Sequence, residues 1–158
     1  MDSSDSSYYS RQQLDELFLQ MIAFFSGDPK RIQHFMKVHS FARIIGTKEG
    51  LDETSLFILE AAAYTHDIGI RPAEEKYGRC DGKLQEQEGP IVAQRMLSDV
   101  GIENYLIDRI CYLIGHHHTY DNIEMTSIVT ELNRHISKFS GRRPEKKFLI
   151  RCIQMKDE

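Results

Sequence analysis

Apolar residues recur along this chain at helical spacing, and sustained two-residue alternation is absent. Leu14, Leu17, Phe18, Met21, Ile22 and Phe25 fall at i, i+3, i+4, i+7, i+8 and i+11, one face of a helix that Gly27 ends. Asp28-Pro29 then supplies a capping carboxylate and a proline for the first turn of a second helix, which runs to about Gly46. Asp52 caps a third helix, apolar nearly all round and therefore expected at the centre of the domain, which ends at His66-Asp67-Ile68-Gly69. Residues 70–84, with Pro72, Gly78 and Gly82 among Arg71, Lys76, Arg79 and Lys83, read as a long basic loop that has room for a short helix. A fourth helix is expected over about 85–99, kinked or restarted at Gly89-Pro90, and a fifth over about 103–114. Gly115-His116-His117-His118 breaks the pattern, and a sixth helix fits Met125, Ile128, Val129, Leu132, Ile136 and Phe139 before a last short one. The reading is an all-α bundle of about six or seven helices, with a disordered tail at 1–10 and one helical domain over 11–158.

A chain of 158 residues with 41% hydrophobic and 28% charged residues is long enough to bury a core without staples. A metal here would therefore serve function rather than folding. The net charge of −4 argues against a nucleic-acid polymer as partner. No apolar run is long enough for a membrane span, and the acidic N-terminus resembles no targeting peptide. The three cysteines, Cys80, Cys111 and Cys152, are widely spaced and odd in number, which reads as reduced and cytoplasmic.

Candidate chemistry concentrates at the end of the third helix. His66 and Asp67 terminate a buried apolar segment, where an unpaired carboxylate is strongly disfavoured. A divalent cation would resolve that cost, since imidazole and carboxylate are both good ligands for first-row metals. The plainer reading of a lone His-Asp pair is a C-terminal histidine beside a turn-capping aspartate. His34 changes the balance: it shares a helical face with Val38 and Ala42 and so points into the core. His39, about 140° round the same helix, is expected in solvent.

His34-x3-Val38-x3-Ala42 followed by Ala-Ala-Ala-Tyr-Thr-His66-Asp67-Ile68-Gly69 resembles the HD superfamily of metal-dependent phosphohydrolases, in particular its small stand-alone bacterial members. The resemblance implies an HD-type helical domain that hydrolyses phosphate esters, nucleotides or phosphomonoesters, by a metal-activated water. His34, His66 and Asp67 would hold the divalent ion (Mn, Fe, Ni, Co, Zn or Mg), with Asp67 also orienting the nucleophile. Asn133 stands where the family's final aspartate is expected, and would be a weak fourth ligand. It lies about 90° from the centre of the sixth helix's apolar face, and Glu131 about 110° on the other side. The resemblance also implies that His116, His117 and His118 could complete a second metal site with Asp121, as in two-metal members; His117 is the one the family pattern favours for a catalytic role, although such a run is also what a fortuitous nickel-binding surface loop looks like.

Arg71, Lys76 and Lys83, directly after the His-Asp pair, would meet the phosphate of a small phosphorylated substrate together with Asp121. Glu86 and Glu88 would orient water or merely cap the fourth helix. Ile70, where the branch that cleaves cyclic dinucleotides carries lysine, and the lack of a later Gly-Tyr-Pro exclude that branch. After Met125 helical periodicity persists but most of the family pattern is lost, as in a diverged tail or an altered reading frame. The rival reading is a non-catalytic module of the same fold that binds a nucleotide or a partner protein. A homodimer is compatible with either.

Overall fold

The computed structural model describes residues 3–117, with residues 3–10 as backbone only. Among them are six helices and no strand: α1 Ser3–Phe24, α2 Pro29–Lys48, α3 Glu53–Thr65, α4 Ile70–Tyr77, α5 Gly82–Asp99 and α6 Asn104–Ile114. The expected sixth helix and the short one after it lie outside the described residues, as do Asp121 and Asn133. None of the described helices is long and apolar enough to cross a membrane.

Local chemistry accounts for the helix starts. Asp28 accepts the Arg31 backbone N–H at 3.2 Å, Asp52 that of Ser55 at 2.8 Å, and Asp81 that of Leu84 at 3.2 Å. Pro29 occupies the first turn of α2, where its missing N–H costs nothing.

Several boundaries differ from the sequence reading. The expected tail at 1–10 is helical from Ser3, because extending an already nucleated helix needs only one more hydrogen bond per residue. The expected basic loop is largely α4, a two-turn helix closed by Gly78 at φ 67°, whose N–H bonds Glu74 O at 2.9 Å. α5 starts at Gly82 and continues through Gly89-Pro90 without restarting. Gly46 does not end α2. It lies inside the helix, where a Cβ would come within 2.8 Å of Leu56 Cδ1.

α3 occupies the centre, packed against α1, α2 and α6. Every residue from Phe57 to Thr65 is buried, as the all-round apolar pattern predicts. Leu14, Leu17, Met21 and Phe25 of α1 supply the expected apolar face. From α2, Phe35, Val38 and Ala42 complete this side of the core. α4 packs on α5, and α5 on α6. The α4–α5 crossing is very close, and Gly69 is why it fits. A Cβ there would lie 2.3 Å from Gln85 O and 2.8 Å from Gly89 N, both backbone atoms with no rotamer to give.

One buried polar knot ties three helices together. Glu60 Oε1 on α3 takes His39 Nε2 at 2.9 Å, Arg11 NH1 at 3.3 Å and Arg43 NH1 at 3.4 Å. His39 is thus not in solvent. Its side chain is 13% exposed and its ring stacks on Tyr64 with centroids 3.9 Å apart. The wheel correctly turned it away from His34, but the neighbouring helices cover that flank as well. Burial alone would push the Glu60 carboxyl up; the His39 hydrogen bond and the two guanidiniums outweigh it and hold the group below its ordinary value.

Two outcomes follow. Gly69→Ala should cost about 1–3 kcal/mol by overpacking the α4–α5 crossing, read as a lowered midpoint in thermal denaturation. An unchanged midpoint would show that the crossing yields. Because Glu60 is depressed in the folded state, its stabilisation is present above the ordinary carboxylate range and is lost as pH falls through the folded value. Glu60→Gln should therefore lose about 1–3 kcal/mol at neutral pH, less than a fully enclosed pair because both guanidiniums are half-exposed, and show a shallower loss of stability in acid. Parallel acid limbs in urea titrations of the two proteins would contradict this.

Candidate metal centre

His34, His66 and Asp67 reach one point from two directions. His34 projects from the second turn of α2, beside Phe35 and one turn before Val38, and is buried for the reason its spacing predicts. His66 is the C-cap of α3 and Asp67 the next residue, in the turn that leads into α4. Ile68, fully buried, anchors that turn to the core. Gly69 lets the chain pass against α5 immediately afterwards.

Their ligand atoms converge. His34 Nε2 lies 3.1 Å from His66 Nε2 and 3.2 Å from Asp67 Oδ2, and His66 Nε2 lies 3.3 Å from the same oxygen. Adjacent ligands each about 2.1 Å from a shared ion, at tetrahedral or octahedral angles, stand about 3.0–3.4 Å apart. The three distances therefore suit a first-row divalent ion or magnesium.

The tautomer suits it too. His66 Nδ1 is 2.8 Å from Ala63 O, which can only accept, so Nδ1 carries the proton and Nε2 presents its lone pair to the centre. A backbone carbonyl orienting the far nitrogen is the usual support for a metal-binding histidine.

His117, from the turn after α6, completes the surroundings. Its Nδ1 donates to Ile114 O at 2.6 Å, and its Nε2 lies 3.5 Å from Asp67 Oδ1. The two oxygens of Asp67 thus face different histidines, Oδ2 toward His34 and His66 and Oδ1 toward His117. Burial would raise the Asp67 carboxyl, but the histidines gathered round it, His66 foremost, hold it well below the usual carboxylate value.

The expected phosphate-binding cations are placed less simply. Arg71 donates to Phe24 O at the end of α1, stands over the Phe24 ring and pairs with Glu75 at 3.6 Å. Lys76 pairs with Glu88 at 3.2 Å, and Tyr77 Oη donates to the same oxygen at 3.0 Å. Glu88 is thereby a buried partner of α4 rather than a cap of α5. Lys83 is exposed in the first turn of α5. Sequence reasoning passed over Gln85, which is 1% exposed and lies under Gly69 with its amide donating to Cys80 O at 2.6 Å. A polar residue where α5 turns its apolar side inward was the available signal.

The family model described as "HD domain" matches residues 31–157, which takes in His34, His66, Asp67 and His117 and extends through the segment after Met125. No curated protein and no solved structure matches the chain.

If this convergence is a metal centre, the purified protein should carry about one divalent ion per chain, and His66→Ala or Asp67→Ala should remove it. Elemental analysis in a His116→Ala/His118→Ala background keeps fortuitous loop binding out of the count. Equal metal in parent and variants would rule out the site.

Proposed function

Because the chain belongs to the HD-domain family, we propose that it is a metal-dependent phosphohydrolase, with the centre built by His34, His66 and Asp67 cleaving a phosphate ester of a small substrate such as a nucleotide or phosphomonoester. The observation that carries this reading is the meeting of two imidazole nitrogens and one carboxylate oxygen at distances that suit a single cation. Asn133, through its side-chain carbonyl, is the proposed fourth ligand.

A divalent cation supplies Lewis acidity toward a phosphoryl oxygen and makes water acidic enough to act as nucleophile near neutral pH. Asp67, through the oxygen turned toward His117, orients the attacking water. His117 has committed Nδ1 to Ile114 O, so it meets the phosphate through Nε2, as a donor when protonated and an acceptor when neutral. Lys76 and Lys83 lie after the His-Asp turn and offset the negative charge of the phosphate, with Arg71 and Asp121 as further substrate contacts.

A second reading has an observation of its own. Arg71 and Lys76 are held by Phe24 O, Glu75 and Glu88, and Asn133 is a weaker ligand than aspartate, as in a module of this fold that binds a nucleotide or a protein and does no chemistry. Phosphate release across a panel of nucleotides and phosphomonoesters, with Mn²⁺ or Co²⁺ added, separates the two. The hydrolase should show chelator-sensitive turnover that Asp67→Ala lowers by roughly a hundredfold or more. Silence of the metal-loaded protein over the whole panel would favour the module.

A further inference from the structure

The ligands stand on separate elements: His34 on α2, His66 and Asp67 in the junction between α3 and α4. The packing of α2 on α3 brings His34 to the end of α3, and a tie from α2 to α4 adds a second constraint on the span from His34 Nε2 to Asp67 Oδ2. One side chain makes that link with full geometry. Arg31 donates from NH2 to Glu74 Oε1 at 2.7 Å and from NH1 to Glu74 Oε2 at 3.3 Å, a two-pronged pairing of guanidinium and carboxylate. NH1 also donates to Asp28 Oδ2 at 2.9 Å, and the other oxygen of Asp28 accepts the Arg31 backbone N–H at 3.2 Å. The carboxylate that caps α2 thus also holds the arginine in the rotamer that reaches α4.

Arg31 precedes His34 by three residues on α2, so the two lie one turn apart on neighbouring faces. Glu74 is in the second turn of α4, the helix that begins three residues after Asp67. α4 is fastened at its other end by Arg71, which donates to Phe24 O.

We propose that Arg31 is a positioning residue for the metal centre, acting through Glu74 to hold the His34-bearing helix against the helix that carries Asp67 into place. The proposal rests on the metal-centre reading. Side chains of Arg31, Asp28 and Glu74 are 31%, 34% and 39% exposed, so solvent screens the charges and the pair contributes little to folding. Its effect is geometric. Asp28 and Glu74 both need a planar fork, which lysine does not offer.

The test is calorimetric titration of the full chain with Co²⁺, combined with the visible absorption of the bound ion and the melting temperature without metal. Arg31→Ala and Glu74→Gln should each weaken Co²⁺ binding about tenfold, the lower end of the effect of losing support around a ligand, and alter the absorption bands. Their metal-free melting temperatures should stay within a few degrees of the parent. Arg31→Lys should fail to restore affinity. Affinity and spectrum equal to the parent's in Glu74→Gln would overturn the proposal even if Arg31→Ala failed to fold. So would a loss of affinity that merely tracks the loss of melting temperature. A parent protein that takes up no Co²⁺ would instead overturn the metal-centre reading, and the positioning role with it.

Discussion

The demand that shapes this domain is the placement of ionisable groups at the buried end of an apolar helix. α3 is buried from Phe57 through His66, so His66 has no water to satisfy it and Asp67 has little. His66 meets half of its need internally, through Ala63 O. Its other nitrogen and the Asp67 carboxylate require partners from elsewhere, and His34 and His117 are brought to them from α2 and from the end of α6. The local packing serves the same end: Ile68 seats the turn, Gly69 lets α4 pass over α5, and Gly89 faces Ile114, whose carbonyl orients His117.

α3 carries a second polar commitment one and a half turns earlier. Glu60 is as buried as His66 but is resolved differently, by His39 and by two arginines that approach from the surface and keep part of each guanidinium in water. That arrangement is self-sufficient in charge and leaves no lone pair aimed at another. At the other end, two imidazole nitrogens and a carboxylate oxygen lie about 3 Å apart, a cluster that needs a proton or a cation among its lone pairs. The contrast sets Glu60, a structural tie, apart from His34, His66 and Asp67, whose ligand atoms all lie within 4.8 Å of one another and could hold a cation.

α4 shows how composition misleads about role. Its basic residues, read as a free cationic loop, sit on a helix whose acids and neighbours engage them: Glu75 and Phe24 O with Arg71, Glu88 with Lys76, while Glu74 reaches across to Arg31. Charge in this segment therefore joins helices as well as facing solvent, and what is left for a phosphate depends on pairings that a list of lysines and arginines does not contain.

What the sequence determined by itself was local or periodic. The capping carboxylates Asp28 and Asp52, the buried length of α3, the inward face of His34 and the His66-Asp67 end of the helix follow from residue type and a 3.6-residue repeat, which need no knowledge of neighbours. The same logic placed His39 in solvent and ran α2 only to about Gly46, because residue type and a helical wheel say which way a side chain points but not what comes to meet it. Tertiary structure decided those cases, through Glu60 and Tyr64 around His39 and through Leu56 and Leu59 against Gly46. It also decided the cross-links between distant residues, Arg31 with Glu74 and His117 with Asp67. A polar contact between residues 43 or 50 apart depends on how whole helices cross, and close approach at a glycine such as Gly69 is invisible until the opposing backbone is in place.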